Sequence, residues 1–157
     1  DKNFLHAPNV NITEVPLVIG GHASVGYRHM CRFFSGSMFN YPLLAKYTWF
    51  WRLDSDSFIL SKIEKDPFVR MRNGRMVYGY MGVGREDEYL TTGLWNATKD
   101  YMKKNRLGDT TKGLKRYLSE GKDGLEKGEW DRSYFYTNFE IGFLPFFRGE
   151  KYQSYFR

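Results

Sequence analysis

The segment Tyr47–Phe58, YTWFWRLDSDSF, constrains this chain more than any other. Strand-forming aromatics fill Thr48-Trp49-Phe50-Trp51-Arg52-Leu53, and the run ends in two carboxylates one residue apart. Side chains alternate between the two faces of a strand, and here both faces are largely apolar, as in a strand covered on both sides. Asp54 and Asp56 follow where the chain leaves the sheet. Ligands of open α/β sheets bind beyond the carboxyl ends of the strands, so these acids stand where a metal and a phosphorylated ligand could meet. A hard cation such as Mg²⁺ or Mn²⁺ prefers oxygen donors and commonly takes one or two carboxylates alongside substrate phosphates. The same residues serve as well for an ordinary turn, because Asp and Ser are turn formers.

On either side of this strand the pattern is helical. Tyr27, Met30, Cys31, Phe34 and Met38 fall at helical spacing from Gly26 onward, and the helix should end before Pro42. Cys31 on that apolar stripe is expected in the core. Arg28, His29 and Arg32 occupy the opposite face, as a solvated surface or as cations for a phosphate. Upstream, residues 15–19 read as a short strand or extended segment, and His22 as a loop histidine. Downstream, Asp66-Pro67 is a helix start, with Asp as N-cap and Pro in the first turn, and Asn73-Gly74 is its stop. Residues 75–83 read as the next strand, and strand, helix, strand in this order predicts a parallel α/β unit. Gly82 and Gly84 suggest a flexible connection that could face a ligand, although a lone GxG is weak evidence of phosphate binding. Helices are expected over 94–105 and 111–118, an exposed loop over 119–133, and another helix from Glu150. Glu140 lies in a nearly unbroken apolar and aromatic run, Tyr134–Ile141. Burial there disfavours the charged carboxylate unless it is paired, which fits a tuned functional acid and equally a structural Glu satisfied by an arginine or backbone amides.

At 157 residues the chain is long enough for one domain, with 1–24 as a lead-in and 25–157 as the core. The net charge of +6 favours anionic partners, but the basic residues are scattered and no nucleic-acid motif is present. Nothing approaches the roughly 18 apolar residues of a membrane span. Cys31 is the sole cysteine, so no disulfide can form within these residues. Asn11-Ile12-Thr13 and Asn96-Ala97-Thr98 are glycosylation sequons that lend mild support to a lumenal location.

Several segments together carry a resemblance: Tyr27-Arg28-His29-Met30-Cys31-Arg32-Phe33 with Ser35-Gly36, Pro42-Leu43-Leu44, Tyr47, Trp49, Trp51-Arg52, Tyr78-Gly79, Leu94-Trp95 and Asn138-Phe139-Glu140-Ile141. In order and approximate spacing they resemble the fungal α-1,2-mannosyltransferases of glycosyltransferase family 15. The resemblance implies a GT-A-like (Rossmann-like) α/β domain, with a mixed sheet flanked by helices, of which this chain is a central part. It also implies a retaining, Mn²⁺-dependent enzyme that moves mannose from GDP-mannose to the 2-hydroxyl of a mannose acceptor on glycoprotein glycans. The location implied is the Golgi lumen, as part of a type II membrane protein anchored outside these residues. The family's metal motif, Glu-Pro-Asp, falls on Asp54-Ser55-Asp56, a departure that leaves open which acid meets the metal. The candidate nucleophile falls on Glu140 and the active-site tyrosine on Tyr27, while Arg28, Arg32 and Asn138 are candidate substrate contacts. Two other functions are weighed beside this one: a non-catalytic carbohydrate-binding module on the same fold, and a transferase using another nucleotide sugar.

Overall fold

The computed structural model describes residues 18–19, 23–107 and 130–157. The helix expected at 111–118, the first eleven residues of the loop expected from 119, His22 and the Asn11 sequon lie outside the described residues. Two compact units emerge, residues 1–50 with 143–157 and residues 51–142.

In the first unit, β1 (Val18–Ile19) pairs antiparallel with β2 (Ala23–Ser24), which leads directly into α1 (Val25–Ser35). The helix is shorter than its apolar pattern suggests. Short 3-10 turns over Ser37–Asn40 and Pro42–Leu44 replace its expected end, with Tyr41 extended before the proline. At the other end of the chain, α4 (Leu144–Arg148) and α5 (Glu150–Phe156) meet at Gly149. The helix from Glu150 matches expectation, whereas α4 was not anticipated. The core of this unit is an aromatic cluster, with Phe39 stacked on Phe147 at 4.5 Å and both rings packed against Phe50 and Tyr152. Leu144 beside it is fully buried. Burying side chains of this size supplies roughly 1.5–3 kcal/mol each. Arg148 ties α4 to the 3-10 turns, donating to the carbonyls of Phe39 at 2.7 Å, Leu44 at 2.7 Å and Tyr47 at 3.3 Å.

Cys31 departs from expectation. It is exposed, and no residue of α1 is buried. The apolar stripe exists as read, but periodicity tells which side of a helix is apolar and not whether a neighbour covers it.

The strand before the acids is β3 (Trp49–Arg52), in which Phe50 is buried and its neighbours are partly buried. The second unit continues with α2 (Pro67–Asn73). Asp66 caps this helix as predicted, its carboxylate accepting from the amides of Phe68 at 2.8 Å and Val69 at 3.3 Å, and Gly74 ends it. The single strand expected over 75–83 is instead two, β4 (Tyr78–Gly79) and β5 (Val83–Arg85). Each has its own partner: β4 pairs with β7 (Glu140–Phe143) and β5 with β6 (Ser133–Phe135), both antiparallel. The end of the expected loop at 119–133 is thus the start of β6. Gly84 is no free connection either. It faces Tyr134 in register, and a Cβ there would come within 2.5 Å of the tyrosine ring. The helix expected over 94–105 is α3 (Leu94–Lys104), entered through Gly93 at φ 80°, a left-handed value that suits glycine.

The strand order β3-β7-β4 revises the predicted parallel unit, since β7 lies between the two strands that were to be joined by α2. A strand from the far end of the chain fills that place, and pairing over such a separation leaves no trace in local alternation. The fold class is mixed α/β. Among the described residues no helix is long and apolar enough to cross a membrane.

Candidate active site

The site grows from the ends of these strands. Glu140 opens β7, Tyr78 opens β4 and Arg52 closes β3. Tyr78 lies opposite Gly142, which presents no side chain, and Glu140 is the diagonal neighbour on the same face. The Tyr78 hydroxyl therefore reaches Glu140 and donates to its Oε2. The other oxygen, Oε1, lies 3.7 Å from Nη1 of Arg52, whose Nη2 is 3.2 Å from Oδ1 of Asp54. One guanidinium is shared by two carboxylates.

The acid-bearing segment is a turn, closed by the Ser57 amide donating to the Asp54 carbonyl at 3.0 Å. Asn138 fastens it: its Oδ1 accepts from the Asp54 amide at 3.2 Å, and its side-chain amide exchanges hydrogen bonds with the Ser57 hydroxyl at 2.6 and 2.8 Å. Asp54 and Asp56 are thereby linked to the residue two before Glu140, although 84 residues separate Asp54 from Asn138. Phe139 between them holds φ 72°, unusual for a residue with a side chain, and its ring packs edge-on against Trp51 at 4.8 Å. Such a conformation costs roughly 1–3 kcal/mol and persists only where packing fixes it, as it does at functional sites.

Glu140 is 6% exposed. Burial raises its pKa above the ordinary glutamate value, and the nearby charge of Asp54 adds to the rise; the Tyr78 hydrogen bond and Arg52 oppose it. Asp54 and Asp56 are different in character. Asp56 is exposed and the Asp54 side chain is 42% exposed, so this pair opens to solvent where the glutamate does not.

The oxygen donor set of Asp54 and Asp56 fits a hard divalent cation that takes its remaining ligands from phosphate and water. It does not form a complete metal cage. Among the described residues no three His, Cys, Asp or Glu side chains gather to hold a metal alone. The sequence-based candidates thus fall into two groups. Asp54, Asp56, Asn138 and Glu140 are brought together in the second unit, with the amide of Asn138 engaged by the turn. Tyr27, Arg28 and Arg32 belong to α1 of the first unit, where all three are exposed and the Arg32 guanidinium lies 5.1 Å from the centre of the Phe156 ring. Arg52, Tyr78 and Ser57 were not among the candidates. Arg52 and Tyr78 stood in the segments that carried the resemblance, but their use follows only from the strand order.

An α/β core with an acid-bearing turn after a strand and a buried glutamate beside it suits metal-assisted transfer from a phosphorylated donor, and the family this chain matches is one of glycosyltransferases. The family model described as glycolipid 2-alpha-mannosyltransferase matches residues 9–157, and the chain belongs to this family. Among curated relatives, a probable mannosyltransferase, KTR3 of Saccharomyces cerevisiae, is 40% identical over 134 residues, covering 85% of this chain and 32% of its own length. Glycolipid 2-alpha-mannosyltransferase 2 of Candida albicans is 36% identical over 134 residues, 85% of this chain and 28% of its own. Among solved structures, core-mannan synthase A of Aspergillus fumigatus, in a Mn/GDP form, matches with TM-score 0.66 and 28% identity over 83% of this chain and 36% of that one. The mannosyltransferase Ktr4p of S. cerevisiae in complex with GDP matches with TM-score 0.66 and 28% identity, over 83% and 34%. The chain therefore spans about a third of the length of these relatives.

Proposed function

We propose that the chain supplies the acid-bearing centre of a retaining α-1,2-mannosyltransferase that uses GDP-mannose, a divalent metal and a mannose-terminated glycan acceptor, and that it acts in the Golgi lumen. The observation that carries this reading is the joining of the Asp54–Ser57 turn, through Asn138, to the buried Glu140 with its Arg52 and Tyr78 partners. The family membership and the Mn- and GDP-bearing neighbours support it. Mn²⁺, when bound, supplies Lewis-acid neutralisation of the departing diphosphate.

The protein's own contribution follows from the geometry. Asp54 and Asp56 offer carboxylate oxygens to the metal, and Arg52 limits the motion of Asp54. Retention calls either for two displacements through a carboxylate nucleophile or for same-face attack beside a carboxylate that stabilises positive charge, and Glu140 suits both roles. Tyr78 and Arg52 fix its two oxygens in orientation. Tyr27 is assigned a hydrogen bond to substrate, and Arg28 and Arg32 contacts to phosphate.

Calorimetric titration of GDP with and without Mn²⁺ tests the reading, in this chain and in a chimera where it replaces the matching third of the S. cerevisiae relative. The expected result is metal-dependent binding in the chimera, weakened about tenfold or more by Asp54→Ala or Asp56→Ala with the melting temperature preserved. Binding indifferent both to Mn²⁺ and to these substitutions would remove the metal role.

A further inference from the structure

The second unit contains a cleft of about 400 Å³ lined by Glu88, Thr91, Thr92, Gly93, Trp95, Asn96, Trp130 and Arg132. None of these residues belongs to the group around Glu140. From this lining we infer that the cleft is a saccharide subsite, taking a mannose unit of a glycan; only the identity of the sugar rests on the function proposed above.

The chemistry of the walls selects the ligand class. A pyranose presents apolar C–H faces and a rim of hydroxyls, so its site needs flat apolar surface together with both donors and acceptors. Trp95 and Trp130 supply the surface, each ring carrying a negative face that attracts polarised C–H groups. Asn96 supplies a donor and an acceptor, the hydroxyls of Thr91 and Thr92, which donate to the Glu88 carbonyl at 3.1 and 3.3 Å, supply acceptors, and Glu88 and Arg132 add a carboxylate and a guanidinium. Charge argues against an anion. Arg132 lies 3.4 Å from Glu88, so the lining's one cation is matched by its one acid, and Lys99, outside the lining, is held over the Trp95 ring 5.9 Å from its centre. The volume falls within the range of small-molecule sites.

The walls are also built in place. The Trp130 indole N–H donates to the Ser133 carbonyl at 3.1 Å, the Glu86 amide donates to the Arg132 carbonyl at 2.9 Å, and Arg132 holds φ 66°. These contacts fix one wall to the start of the β5–β6 ribbon. The other wall is the first turn of α3 with the 3-10 turn before it, Glu88–Leu90. Gly93 between them is left-handed, and a Cβ there would meet nothing within 4 Å.

The test is direct binding, by ligand-observed NMR and tryptophan fluorescence, of methyl α-mannoside and α-1,2-mannobiose to the full chain made without N-glycans. Mannobiose should bind, and Trp95→Ala should weaken it about tenfold. Asn96→Arg, which loads an exposed helix position with bulk and charge and removes no packing, should abolish binding in a folded protein. Metal-dependent GDP binding by the chimera should be unchanged by either substitution. A folded wild-type chain that binds neither mannoside, or one whose mannoside affinity survives Asn96→Arg, overturns the subsite. GDP displacing mannobiose from the cleft overturns it too, in favour of a nucleotide pocket. Mannoside binding by the chain, with no GDP binding by the chimera, leaves the subsite standing and counts against the transferase reading instead.

Discussion

Glu140 shows how much one residue's role depends on what surrounds it. Its pKa is raised by burial first and by the charge of Asp54 second, so folding makes Glu140 hold its proton more readily than a free glutamate does. The sign for stability follows. The contribution is complete below the ordinary glutamate value and is lost as pH rises through the raised folded value. Denaturation midpoints measured across that window should fall with rising pH in the wild type, and Glu140→Gln should flatten the fall. The same substitution keeps the Tyr78 hydrogen bond but removes the negative charge. In the chimera, turnover with GDP-mannose should drop about 100-fold or more while GDP affinity is kept. Near-normal turnover would return Glu140 to a purely structural role. Gly36 is a second case in which a single atom decides. A Cβ there would lie 2.4 Å from the Phe156 ring. Its φ of −164° is ordinary extended backbone, so the demand is for space alone. Gly36→Ala should destabilise the fold by about 1–3 kcal/mol, read from chemical denaturation.

At the scale of elements, local signals served α2 and α3 well and the strands less well. Asp66, Pro67 and Gly74 predicted α2 because a cap and a stop act within a turn of chain. The helix α3 followed its apolar stripe to within a residue. The run from Arg75 to Val83 reads as one strand by composition, yet it divides because its two halves meet different partners, β7 and β6. The end of α4 depends on a contact of the same non-local kind. Arg148 reaches three carbonyls more than 100 residues away in sequence, using three nitrogens of one planar group. Lysine has one nitrogen and cannot reproduce that fork. Arg148→Lys should therefore cost about 2 kcal/mol in an equilibrium unfolding measurement. A loss no larger than that of a typical surface substitution would show that solvent satisfies these carbonyls.

For the molecule as a whole, the lumenal location proposed above has a chemical readout. Asn96 is exposed on α3 within its sequon, and Thr98 donates to the Leu94 carbonyl at 2.8 Å. A glycan on Asn96 would mark passage through the lumen but would also fill the cleft that Asn96 lines. Mass spectrometry of the protein from its own cells that finds Asn96 fully glycosylated therefore supports the location and overturns the subsite, whereas an unmodified Asn96 leaves the subsite open. Taken by itself, the sequence determined the α/β class, the capped helix α2, the acid pair after an aromatic strand and the isolation of Glu140 in an apolar run. Each of these is a property of neighbours along the chain. Only the tertiary structure decided that β7 separates β3 from β4, that Asn138 clamps the acid-bearing turn, and that Arg52 and Tyr78 are the partners of Glu140. It alone showed Cys31 exposed and Trp95 lining one cleft with Trp130. These facts join residues distant in sequence, and which surfaces meet is set by the summed packing of the units, of which a local pattern carries no record.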